Sequence, residues 1–302
     1  MQKCYLGIDI GGMSVKFGLF DENINLIEKW YVETNTNNNG KYILYEIAEE
    51  IKAKQKEYEI IAIGAGVPGP VDSKGIVKEC VNIGWGETDV KAELEKMTGI
   101  STVVLNDANA AALGENSEKY SSMVFVTIGT GVGGGIVFDG KVLTGFGGAA
   151  GEIGHITVNP AESEKCTCGK SGCLEQYSSA TAMKKYANKL IAEGIETMLK
   201  DNFTVKDIFE GVEKGDALCK MVVRRASVYL GMALSNIACT INPEVFLIGG
   251  GVSRAGDTLL NPVKEYFKKF AFPEVKDTPI VIAEIGNDAG TYGAAKAAKE
   301  IS

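Results

Sequence analysis

One architecture is written twice into this chain of 302 residues. An apolar run at residues 5–9 ends in Asp9. A glycine turn with Gly11 and Gly12 follows, then a second apolar run at 15–20, a turn at 21–23 and a third run at 26–31. The same order returns at residues 123–128, at the glycine turn 129–135, at 136–138, at the turn Asp139-Gly140 and at 141–143. Short apolar runs bounded by Gly, Asn and Asp read as strands, and Asp-Gly between two of them is a hairpin signal. The chain therefore uses one strand–glycine turn–strand–turn–strand unit two times.

The glycine turns are candidates for anion binding, because bare backbone can approach a phosphate and offer it N–H groups. Residues 129–134 match Gly-x-Gly-x-x-Gly, but a dinucleotide fingerprint must open a helix, whereas here an apolar run and an Asp-Gly turn follow. No Gly-Lys-Ser/Thr closes either turn, so the Walker pattern is absent as well. Each turn taken alone also reads as a plain tight turn, and it is their duplication that favours the phosphate reading. Asp9, at the end of its strand, is a hard oxygen ligand suited to Mg²⁺ held directly or through water.

Between the two copies lie a predicted strand at 60–65, a loop holding Gly66, Pro68, Gly69 and Pro70, and a strand at 102–105. Ala and Leu then predict a helix over 108–115, with Asn106 or Asp107 as its cap. Asp107 has two readings, a simple N-cap or a general base that takes a hydroxyl proton during phosphoryl transfer. Later come a long amphipathic helix over 216–240, a buried strand at 245–248 running into Gly249, Gly250 and Gly251, and a small-residue helix over 288–300. The segment 34–40, with four Asn, is expected to be a mobile loop.

The only histidine, His155, lies upstream of Cys166, Cys168 and Cys173. One imidazole and three thiolates suit a tetrahedral, structural Zn²⁺, and the full set leaves no position open for water. The alternative is a disulfide with a spare thiol. Seven cysteines and a first strand that begins almost at once speak against a secreted disulfide framework. Glu152 and Glu175 bracket the cluster. With His155 they can hydrogen-bond the vicinal hydroxyls of a sugar, one ring nitrogen binding metal while the other donates.

The length suggests two domains, expected at 1–116 with 288–302, and at 117–287. A net charge of −8 argues against nucleic acid as a partner. No apolar run approaches the roughly 20 residues that span a bilayer. Without room for a targeting segment ahead of the first strand, the expected location is the cytoplasm, with no membrane association.

These motifs together resemble the ROK family (repressors, open reading frames, kinases) within the actin-like and hexokinase ATPase superfamily, and over the whole length the chain is most similar to its glucokinases. The resemblance rests on the Asp9 turn, Pro68-Gly69-Pro70, Asn106-Asp107-Ala-Asn109, the 129–135 turn, Glu152-Ile-Gly-His155, the cysteine cluster through Glu175, and residues 247–252. It implies an α/β fold of duplicated ribonuclease H-like units, with two lobes and a cleft. It implies an ATP-dependent hexose 6-kinase, with glucose as the first expectation and N-acetylmannosamine, fructose or a β-glucoside as alternatives. A sugar-sensing regulator without catalysis is the rival class.

By resemblance Asp107 is the catalytic base. Asn106, Asp107, Glu152, His155, Glu175 and Gly66 belong to the sugar site. Asp9, Gly11, Gly12, Ser14, Lys16, Gly129, Thr130, Gly131, Gly133, Gly249 and Gly250 belong to the nucleotide site, and His155, Cys166, Cys168 and Cys173 hold zinc. ATP, Mg²⁺ and Zn²⁺ are the implied cofactors, and a homodimer the implied assembly. Where the family carries Thr after Gly-Gly, this chain has Met13, so a hydroxyl is lost there unless Ser14 replaces it.

Overall fold

The computed structural model describes residues 1–116 and 119–302. β1 (Gln2–Ile10), β2 (Ser14–Phe20) and β3 (Leu26–Glu33) form an antiparallel meander. β4 (Tyr58–Val67) adds in parallel to the other side of β1. β5 (Ile76–Val77) and β6 (Thr88–Asp89) make a small antiparallel pair of their own. β7 (Thr102–Asn106) closes the first sheet in parallel with β4, giving the order β3-β2-β1-β4-β7. β1 and β4 are buried on both faces along most of their length, as parallel central strands require, whereas edge strand β3 alternates between partly buried and exposed positions.

The second sheet holds β8 (Met123–Ile128), β9 (Val132–Phe138), β10 (Lys141–Val142), β11 (Val245–Gly249) and β12 (Ile280–Ile282). Its order is β10-β9-β8-β11-β12, the same third-second-first-fourth-fifth sequence as the first sheet. The duplication seen in the sequence is thus a duplication of sheet topology. The predicted Asp-Gly hairpin forms as expected, with Asp139 at φ 51° and Gly140 at φ 72°.

In the first half the helices are α1 (Asn37–Gly40), α2 (Ile43–Lys54), α3 (Val90–Thr98) and α4 (Asp107–Glu115). In the second they are α5 (Glu175–Ser178), α6 (Ala180–Ala192), α7 (Val205–Glu213), α8 (Ala217–Ile241), α9 (Asp257–Phe270) and α10 (Ala289–Glu300). The long helix α8 starts where Asp216 accepts the Cys219 N–H at 2.9 Å and stops at Asn242 in the left-handed region, just before Pro243. Among the described residues no helix is long and apolar enough to cross a membrane.

The chain divides into two compact units. The first comprises Met1–Lys119, Gly135–Gly151 and Ile285–Ser302, and the second Tyr120–Gly134 and Glu152–Glu284. The segment Gly135–Gly151 groups with the first unit, although the sequence reading set it in the second. The reason is local: a Cβ on Gly135 would meet the methyl of Ala112 at 2.6 Å and the Ala108 carbonyl at 2.8 Å, so β9 lies directly on α4.

Within the first unit α10 packs backbone to backbone. A Cβ on Gly64 would sit 1.8 Å from the Ala294 carbonyl oxygen, and one on Gly293 would sit 1.7 Å from that of Ala110. Glycine is therefore required on β4 and α10 for the sheet, α10 and α4 to approach this closely. The asparagine-rich segment is fastened at several points. The Thr34 hydroxyl donates to the Gly11 carbonyl at 2.6 Å, the Asn35 amide to Glu46 at 2.7 Å, and the Trp85 indole to the Gly40 carbonyl at 3.0 Å.

Candidate active site

The first glycine turn connects β1 to β2. Strand register sets Asp9 opposite Lys16, and Lys16 Nζ lies 3.1 Å from Asp9 Oδ2. The same ammonium donates to the Asn287 carbonyl at 3.1 Å. Gly290, early in α10, leaves no room beside Asp9: a Cβ there would meet the carboxyl carbon at 2.9 Å. The Gly11 N–H closes the turn on the Ser14 carbonyl at 3.0 Å. Gly12 is open, its nearest neighbour being the Asn82 carbonyl at 3.6 Å from a built Cβ. Met13 is 89% exposed. Asn287 and Gly290 had no role in the sequence reading, because nothing local couples residues so far along the chain to Asp9.

Asn106 and Asp107 stand where β7 becomes α4. Asn106, not Asp107, is the cap. Its Oδ1 accepts the Ala108 and Asn109 N–H groups at 3.0 and 3.1 Å, while its amide donates to the Gly69 carbonyl at 3.1 Å. Asp107 is the first helical residue, and its Oδ1 also takes the Ala108 N–H at 2.8 Å. The helix does not depend on Asp107 for capping, which favours the base among its two readings. Gly66 on β4 passes beside it, a Cβ there reaching the Asp107 Cα at 3.6 Å.

The second glycine turn connects β8 to β9 and is held from outside. The Gly129 carbonyl accepts the Ala180 N–H at 2.9 Å and the Thr130 carbonyl accepts the Thr181 hydroxyl at 2.8 Å. The Val132 N–H donates to Glu175 Oε2 at 3.0 Å, and a Cβ on Gly131 would sit 2.2 Å from that oxygen. Gly133 lies in β9 itself. At the end of β11, Gly250 has φ 82° and passes within 2.5 Å, by its built Cβ, of the Ile128 carbonyl, so both the conformation and the space demand glycine. Gly249 packs on the Phe125 ring.

Glu152 immediately precedes a short 3₁₀ turn, Ile153–His155. Gly154 in that turn lies on the flank of the second glycine turn, a Cβ there meeting the Val132 carbonyl oxygen at 1.9 Å. His155 and the three cysteines come together as the sequence spacing suggested, their donor atoms all within 4.8 Å of one another. Cys168 Sγ and Cys173 Sγ are 3.6 Å apart, and Cys166 Sγ lies 3.8 Å from His155 Nδ1. Four ligands around Zn²⁺ at about 2.3 Å span tetrahedron edges of about 3.8 Å, so this donor set fits the ion. Coordination through Nδ1 would leave Nε2 to carry the ring proton. Burial pushes the Cys173 thiol up to about 12, so that site favours a neutral thiol until a metal displaces its proton.

The sequence profile of the ROK family matches residues 5–301. The chain belongs to the ROK family. It is 40% identical to the glucokinase of Halalkalibacterium halodurans over 96% of this chain and 93% of that protein. It superposes with a TM-score of 0.81 on a ROK family glucokinase from Streptomyces griseus in complex with glucose and AMPPNP, which is 32% identical and matched over 98% of this chain and 99% of that one. It is also similar to a ROK family transcriptional regulator, a homologue of the E. coli MLC protein, with a TM-score of 0.88, 27% identity, and cover of 99% of this chain and 78% of that one. The fold is the actin-like and hexokinase ATPase fold of ROK kinases, built from two sheets of equal strand order.

Proposed function

We propose that this ROK protein is an ATP-dependent hexokinase that transfers the γ-phosphoryl group of ATP to the 6-hydroxyl of glucose. The observation that carries the reading is Asp107, a carboxylate at the start of α4 whose capping duty is taken by Asn106. Asp107 accepts the hydroxyl proton as the sugar oxygen forms its bond to phosphorus and ADP leaves with the electron pair of the broken bond. The glycine turns at 9–14 and 129–133, with Gly249 and Gly250, receive the nucleotide. Asn106, Gly66, Glu152, His155 and Glu175 receive the sugar.

Mg²⁺ arriving with ATP would offset phosphate charge, with Asp9 and Lys16 as the charged groups beside the first turn. Zn²⁺ held by His155, Cys166, Cys168 and Cys173 would fix the loop that carries Glu175 and leave no open coordination position for chemistry. A cytoplasmic homodimer completes the reading.

The test is a coupled ATP-turnover assay over glucose, N-acetylmannosamine, fructose and a β-glucoside, with metal content measured on the same sample. The expected result is fastest turnover on glucose and one zinc per chain. The likeness to a ROK transcriptional regulator supports a second reading, a sugar sensor. Sugar binding without ATP turnover on any sugar would favour it.

A further inference from the structure

Glu175 opens α5 where the chain leaves the cysteine cluster, and its two carboxylate oxygens face different neighbours. Oε1 accepts the Thr167 hydroxyl at 3.4 Å and lies 3.9 Å from Cys166 Sγ. Oε2 accepts the Val132 N–H at 3.0 Å and occupies the space a Cβ on Gly131 would need. Three backbone groups of the second glycine turn are thus bound to residues 175–181, and only the bond from Val132 engages an N–H of the turn. A turn built on glycine has little conformational preference of its own, so its N–H directions must be set by partners. A bond to a carboxylate is the stronger kind of tie for that purpose.

We propose that Glu175 is a positioning residue for the nucleotide as well as a ligand for the sugar: through the Val132 N–H it holds the second glycine turn in its phosphate-binding shape. This rests on the kinase reading above. An ionised carboxylate has about four lone-pair sites, so the Val132 bond leaves others for sugar hydroxyls. A sugar that orients the carboxylate orients the turn, and the resulting coupling is reciprocal between sugar and nucleotide.

The test is calorimetric titration of the wild type and the variants E175A, E175Q and G131A, first with Mg·ADP in the absence of sugar and then with glucose alone. E175A should weaken ADP binding about five- to tenfold, the loss of one net hydrogen bond. E175Q should keep ADP affinity near that of the wild type, because the amide oxygen can accept the Val132 N–H, while glucose affinity falls. G131A should reproduce the ADP loss with Glu175 still present, because the added methyl displaces the carboxylate. Sugar-free ADP affinity equal to the wild type in both E175A and G131A would overturn the proposal and return Glu175 to a sugar contact alone. A wild type that binds neither ADP nor glucose would instead sink the kinase reading itself.

Discussion

The two glycine turns look alike in sequence and are held by different partners. The first is closed on itself by Gly11 and Ser14, tied on its Gly11 and Met13 carbonyls by the hydroxyl and N–H of Thr34, flanked by the Asp9–Lys16 pair, and open around Gly12 and the Met13 side chain. The second is clamped by other segments: Glu175 on the Val132 N–H, Gly154 on the Val132 carbonyl, and Ala180 and Thr181 on Gly129 and Thr130. A duplicated motif keeps its strand order and its glycines, but the partners that stiffen it are recruited separately in each copy. The second turn, as a consequence, depends on the segment that leaves the cysteine cluster, whereas the first depends on Thr34.

The largest expected effect lies outside both turns. Asp107→Asn should lower turnover about 10²–10⁴-fold while ADP and glucose still bind, because the amide keeps the size and loses the proton acceptor. Near-normal turnover would remove Asp107 from its role.

Next in size is Gly154→Ala, whose methyl would collide with the Val132 carbonyl. Overpacking of this kind costs about 1–3 kcal/mol, so the melting temperature should fall and zinc content with it. A melt matching the wild type would show that the second turn is not clamped as described.

A smaller effect belongs to β1, the strand that delivers the first turn. Burial raises the Cys4 thiol from 9.0 to about 11. The folded value is above the unfolded one, so its contribution is complete below pH 9 and is lost as pH rises through about 11, amounting to at most about 3 kcal/mol. The stability of Cys4→Ala should decline less steeply than that of the wild type over this window in alkaline denaturation, and parallel curves would refute it.

The smallest change is Gly12→Ala. With only the Asn82 carbonyl nearby, at 3.6 Å, stability should stay within about 0.5 kcal/mol. A loss comparable to that of Gly154→Ala would erase the contrast between the turns.

Much of this was legible in the chain because it is local. The strand-turn-strand copies, the Asp139-Gly140 hairpin, the long helix from about residue 216 and the His155–cysteine set are all written over short spans with recognisable chemistry. Two neighbours competing for one cap, Asn106 and Asp107, could not be separated until φ and ψ were known. The Glu175–Val132 bond, the demand for glycine at 154, and the approach of Asn287 and Gly290 to Asp9 and Lys16 depend on segments that meet only after folding. A glycine in a motif signals that space is short without saying what fills it. The segment Gly135–Gly151 was set in the wrong unit for the same reason, since its affinity for α4 resides in an absent side chain rather than a present one.

The seating of α10 has a consequence for the order of biosynthesis. A Cβ on Gly7 would sit 2.0 Å from the Thr291 carbonyl oxygen, so β1 is shaped to receive a helix made long after it. At a ribosomal pace of about 5–20 residues per second, the 284 positions from Gly7 to Thr291 separate the two by roughly 15–60 s. Through that interval the first sheet has its strands but not its covering helix. The stretch Glu152–Glu284 of the second unit, emerging as one block, needs no such wait. A nascent chain of this protein therefore carries its earliest-made sheet uncovered for longest, and that face is where a holding chaperone has most to shield.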